Sequence, residues 1–120
     1  GELVSGAGPG STASEVSEII VVLCAVPMDF DAESLATDLV ERSLAACAQV
    51  VPGVTSIYRW EGVMERSSER LLLIKTRRSL FGSVEAAIRT RHPYEVPEIV
   101  ALPVSDGYEP YLAWVNAATG

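Results

Sequence analysis

Three side chains in this 120-residue sequence are strong candidates to hold a soft metal ion: Cys24, Cys47 and His92. A thiolate selects ions such as Cu(I) or Zn(II), and an imidazole suits copper and zinc. Their spacing matches no closed zinc motif. Each also has a packing role open to it. Cys24 lies in the apolar run IIVVLCAV, where cysteine commonly serves as a small buried hydrophobe. Cys47 follows Ala45 and Ala46, where packing and ligation both suit its surroundings. His92 precedes Pro93 at the expected end of a helix, where free carbonyls and the dipole favour a donating imidazole. The same imidazole is the usual residue for reversible metal contacts.

Lys75 is the single lysine, set among Leu73, Ile74 and Thr76. An unpaired ammonium in an apolar strand is costly, so a carboxylate partner is expected from Glu98 or Glu61. With Tyr58, Trp60, Tyr94 and Trp114, Lys75 is a candidate to line a cleft between subunits that takes a small metabolite or anion. Interface packing is the competing role for the aromatics. Cys47 with His92 would be the nucleophile and base of an enzyme, but no GxSxG, HExxH or phosphate-cradling glycine loop is present, so catalysis is not expected.

A net charge of −7 and a pI near 4.6 argue against binding a phosphate backbone, which needs clustered Lys and Arg. No apolar run approaches the roughly 20 residues of a membrane helix, and no signal peptide opens the chain, so the expected location is the cytoplasm, with no membrane partner and both thiols reduced. With 48% hydrophobic and 21% charged residues the chain is expected to fold, as one domain over residues 15–120. The Gly-, Ser- and Ala-rich stretch over residues 1–14 reads as a disordered tail or tag remnant.

These residues must be positioned by an alternation of strands and helices. A first strand is expected at Ile19–Val26, then a helix capped by Asp31 and stapled by Phe30 onto Leu35, running to about Leu44. A second strand spans Cys47–Trp60 with a bulge at Pro52-Gly53, and Glu61-Gly62 is the hairpin tip. The chain returns through ERSSER into a third strand, LLLIKT. Ser79 is expected to cap a second helix that stops near His92, before a fourth strand at Pro97–Val104 and a closing helix over Tyr108–Val115. The order βαββαβ plus a helix is a ferredoxin-like α+β fold with both crossover helices on one face of an antiparallel sheet. The other face is then bare, yet its strands are apolar on both sides, so it is expected to pack on other copies of the chain.

The segments LAACAQVVPGVTSIYRWEG, LLLIKT and HPYEVPEIVALPV resemble, in order and spacing, those of the CutA family of divalent-cation tolerance proteins. The resemblance covers about Ile19 to Asn116. It implies a homotrimer of ferredoxin-like subunits. It also implies a role in tolerance of copper or other divalent metals, which bacterial members share, with a metal ion bound but no obligatory cofactor. Animal members are linked to membrane anchoring of acetylcholinesterase, for which the expected hydrophobic leader is missing here. Some copper-binding bacterial relatives carry a further cysteine where this sequence has Ala87.

Overall fold

Strand formation follows the β-branched runs, and helix ends follow local hydrogen bonding that the sequence only partly announces. A computed structural model of the chain describes residues 18–120. The expected tail over residues 1–14 lies outside the described residues, as does the start of the expected domain. β1 (Ile19–Pro27) turns Ile20, Val22, Cys24 and Val26 into the main core. α1 (Ala32–Glu41) starts as expected, with Asp31 accepting the Ser34 amide at 3.0 Å. It ends at Glu41, short of Leu44. Ser43 takes a left-handed φ of 56°, while the Ser43 amide turns back to Val40 and the Leu44 amide to Leu39. This is a Schellman closure built without the glycine that usually marks one.

β2 (Cys47–Trp60) and β3 (Val63–Arg77) form a long hairpin whose register shifts between Val51 and Val54, at the expected Pro52-Gly53 bulge. Glu61 and Gly62 sit at φ 51° and 83°, the two left-handed positions of a tight hairpin turn. β3 takes in the whole polar stretch before Leu71, where a shorter strand was expected. Ser79 does not cap a helix. Arg78–Leu80 form a single 3₁₀ turn, and α2 (Phe81–Arg89) begins after Leu80 with no side-chain cap. β4 is only Val100–Pro103, and α3 (Glu109–Ala118) closes the chain with Pro110 in its first turn.

The sheet is antiparallel throughout, in the order β2-β3-β1-β4. Leu72 and Ile74 of β3 join the inward residues of β1 beneath Leu35 and Leu39 of α1 and Val84 and Ile88 of α2. The second face is not wholly bare: α3 covers one end of it, packing Leu112 and Val115 on Ile19 and Ala46. Arg77 holds α3 there, donating to the Thr119 hydroxyl at 2.9 Å and to the Thr119 carbonyl. Among the described residues the rest of that face stays open and apolar, with Val21, Leu23, Leu71 and Leu73 half-buried and Val100 and Leu102 exposed.

Replacing Asp31 by Ala should cost about 1 kcal/mol of stability in chemical denaturation. Ser79→Ala should leave stability within about 0.5 kcal/mol, because its side chain caps nothing. Equal losses in the two variants would contradict the caps described.

Candidate functional site

The three candidate metal ligands are not brought together. Cys47 pairs across the sheet with Lys75, and Lys75 with Val21, whereas Cys24 pairs with Leu72 further along and faces the opposite side. Cys24 is fully buried under the helices. Burial, with smaller contributions from Glu98 and Glu69, pushes its thiol up to about 12, so the thiolate is disfavoured in this setting. His92 is buried too, and both ring nitrogens are engaged. The Tyr94 amide donates to Nδ1 at 3.1 Å, which leaves the proton on Nε2, and Nε2 donates to the Ala25 carbonyl at 2.8 Å. His92 is thus a structural brace with no lone pair free for a metal in this arrangement. Cys47 is half-buried on the open sheet face. Among the described residues no three His, Cys, Asp or Glu side chains converge to hold a metal ion.

A different set of residues does converge. An open groove of about 830 Å³ runs between the β2–β3 hairpin, the end of β1 at Ala25 and the loop over residues 93–98. Tyr58, Trp60 and Tyr94 form its aromatic walls, and Glu65, Glu69, Glu95 and Glu98 line it, with no Lys, Arg or His among the lining residues. Glu69 is the buried member, 4% exposed, and its carboxylate accepts the Tyr94 hydroxyl at 2.7 Å. Desolvation first, then that hydrogen bond, raises the Tyr94 phenol well above its usual range. The Tyr58 hydroxyl is paired with Ser67 at 3.0 Å, which fixes the opposite wall.

The expected cleft therefore divides. Tyr58, Trp60, Tyr94 and Glu98 share the groove, while Lys75 and Trp114 lie at the α3 end of the sheet. Lys75 pairs with neither Glu98 nor Glu61: its ammonium donates to the Gln49 side-chain oxygen at 2.8 Å and lies 5.8 Å from the Tyr111 ring centre. The strand register turns it to the side where α3 docks, and Tyr111 in turn packs on Trp114 with ring centres 5.6 Å apart. Glu61 projects from the hairpin tip, exposed and outside the groove. Glu65, Glu69 and Glu95 were not among the expected site residues. Alternation would have found two of them, since Glu65 and Glu69 share the parity of Leu71 and Leu73 and so point to the open face.

A small α+β sheet protein with an acidic, aromatic-walled groove beside an open apolar face is the class these features define. The chain belongs to the CutA1 divalent ion tolerance protein family, whose model matches residues 20–118. It is 48% identical over 100 residues to the divalent-cation tolerance protein CutA of Thermus thermophilus, a match covering 83% of this chain and 97% of that protein. It is 41% identical over 107 residues to the chloroplastic protein CutA of Arabidopsis thaliana, covering 89% of this chain but only 59% of that one. Among solved structures, the CutA of Xylella fastidiosa superposes with a TM-score of 0.82 at 36% identity, covering 87% of this chain and 100% of that chain. No helix among the described residues is long and apolar enough to cross a membrane.

The Cys24 thiol carries a pH signature. Its folded value lies above its ordinary 9.0, so the unfolded thiol ionises first, and stability should fall as pH rises between 9.0 and about 12. Tyr94 acts in the same direction. In denaturation at stepped pH, Cys24→Ala should flatten this fall, and an unchanged slope would argue against a sealed thiol.

Proposed function

We propose that the chain acts in divalent-cation tolerance as a homotrimer of ferredoxin-like subunits, binding copper or another divalent ion where the open sheet faces of three copies meet. The metal is cargo and not a resident cofactor, and no catalysis is part of this reading. The observation that carries it is the position of Cys47. Of the three candidate ligands it is the one whose atoms are not committed elsewhere, and it lies on the apolar face that other copies would cover. A partner subunit would supply the remaining ligands that a single chain lacks. The strand order and the two helices on one face support the ferredoxin-like description. The cytoplasm, where thiols stay reduced, is the compartment this reading assumes.

A second reading is favoured by the groove: a trimeric signalling module that binds a small ligand there. The carboxylate lining turns the expected ligand from an anion to a cation, because Lys75 lies elsewhere. A rigid scaffold that recruits other proteins is the third possibility, and no particular feature favours it.

Light scattering with metal analysis on reduced protein titrated with copper and zinc tests the first reading. The expected result is a trimer with stoichiometric metal, and a trimer without metal for Cys47→Ser. A monomer would contradict the assembly, and unchanged metal content in the variant would remove Cys47 from the site.

A further inference from the structure

His92 is the single histidine of the chain, and it is 8% exposed. Its two nitrogens have opposite tasks. Nε2 donates to the Ala25 carbonyl at 2.8 Å, while Nδ1 accepts the Tyr94 amide at 3.1 Å. A neutral imidazole can do both, but an imidazolium carries a proton on each nitrogen and accepts nothing. A proton added at Nδ1 would set one donor against another.

The bond to Nδ1 holds a stretch of chain that has little else to hold it. Residues 93–99 lie between α2 and β4, outside any helix or strand, and make no backbone–backbone hydrogen bond among the described residues. Among those residues the hydrogen bonds of this stretch both belong to Tyr94: its amide on His92, and its hydroxyl on Glu69 at 2.7 Å. Stacking adds to them, with the imidazole centre 6.1 Å from that of Phe30 and 4.8 Å from that of Tyr94.

Charged and titratable groups surround the ring from each side. From β3 come Glu69, through the Tyr94 hydroxyl, and Arg70, which donates to the carbonyl of the stacked Phe30. From β1 comes the Cys24 thiol, kept neutral by burial. Asp29 acts on Tyr94 from the loop before α1, and Glu98 acts on Cys24 from the stretch itself. Arg91 turns away to the Ser34 hydroxyl at 3.0 Å. An imidazolium at this position therefore has carboxylates to attract it, but it must give up the Tyr94 amide.

We propose that His92 is a proton-operated latch: uptake of a proton at Nδ1 breaks the bond to the Tyr94 amide and releases the segment over residues 93–98 from the end of β1. Nε2 is a donor in both states, so its bond to Ala25 persists. Tyr94 is then held by Glu69 alone, and the groove wall that it forms loosens in acid. The latch lies within one chain at a ring already buried, so copies packed on the open sheet face leave its bonds in place. It is independent of metal at Cys47.

Nuclear magnetic resonance on the reduced full chain tests it between about pH 8 and pH 5, the range of an ordinary histidine titration. The single imidazole reports its own protonation. Hydrogen exchange of the Tyr94 amide, taken relative to an unstructured peptide at each pH, reports the latch. Protection of that amide should fall by about tenfold with the same midpoint as the imidazole, as loss of one hydrogen bond does, while the Val22 and Ile74 amides inside the sheet keep theirs. His92→Gln retains a side-chain donor and acceptor without the titration, and the fall should vanish in it. A protonated His92 with unchanged Tyr94 protection overturns the proposal. So does a fall with a different midpoint, an imidazole that stays neutral throughout, or a fall that persists in a folded His92→Gln. The first three results are read on the unsubstituted chain and decide the matter should the variant fail to fold.

Discussion

The arrangement of the groove depends on a strand that stops early. β4 pairs with β1 only from Ile20 to Leu23, so among the described residues that edge of β1 has no neighbouring strand beyond Leu23. An exposed strand edge offers unpaired carbonyls, and a buried one must be satisfied. His92 does this from the end of α2, donating from Nε2 to the Ala25 carbonyl. Accepting that bond dictates the tautomer, and the tautomer leaves Nδ1 free to receive the Tyr94 amide. Tyr94 is thereby set over Glu69, and the chain that follows brings Glu95 and Glu98 to the same groove. One imidazole completes a sheet edge and places a wall of the site.

A second constraint comes from a sheet with two apolar faces. Helices α1 and α2 bury one, but α3 covers only the end of the other, around Ile19. The uncovered remainder carries Leu71 and Leu73 at its centre and Val100 and Leu102 toward its edge. Apolar surface of this extent is costly in water, and symmetric association is the common way to remove it. Cys47 and Lys75 lie on the same side as this surface, while the groove occupies its far end. An acidic groove next to an apolar face gives one small chain two chemically distinct surfaces.

The strands, their order and the hairpin tip were legible in the sequence because β-branched alternation, Pro52-Gly53 and Glu61-Gly62 are local signals with local causes. The helix ends were less so. Ser43 takes the left-handed position usually held by glycine, and the first turn of α2 is entered through Arg78–Leu80 without a capping side chain. Neither leaves a mark in composition. The aromatic part of the site, Tyr58, Trp60 and Tyr94, was recognised as a group from residue type. Of its charged part Glu98 was recognised and the rest was not, since Glu65 and Glu69 sit in a stretch that reads as solvated polar strand.

By itself the sequence determined an acidic α+β chain of the CutA kind, because periodicity and motif order are properties of neighbouring residues. Only the tertiary structure decided which of its chemical groups are available. Cys24 and His92 differ from Cys47 not in type but in what surrounds them: one is sealed beneath helices, the other spends both nitrogens on the backbone. Glu69 became the buried carboxylate of the groove through a hydroxyl twenty-five positions away. Burial and hydrogen-bond partnership arise from contacts between distant segments, and those contacts set the protonation and reach of each side chain.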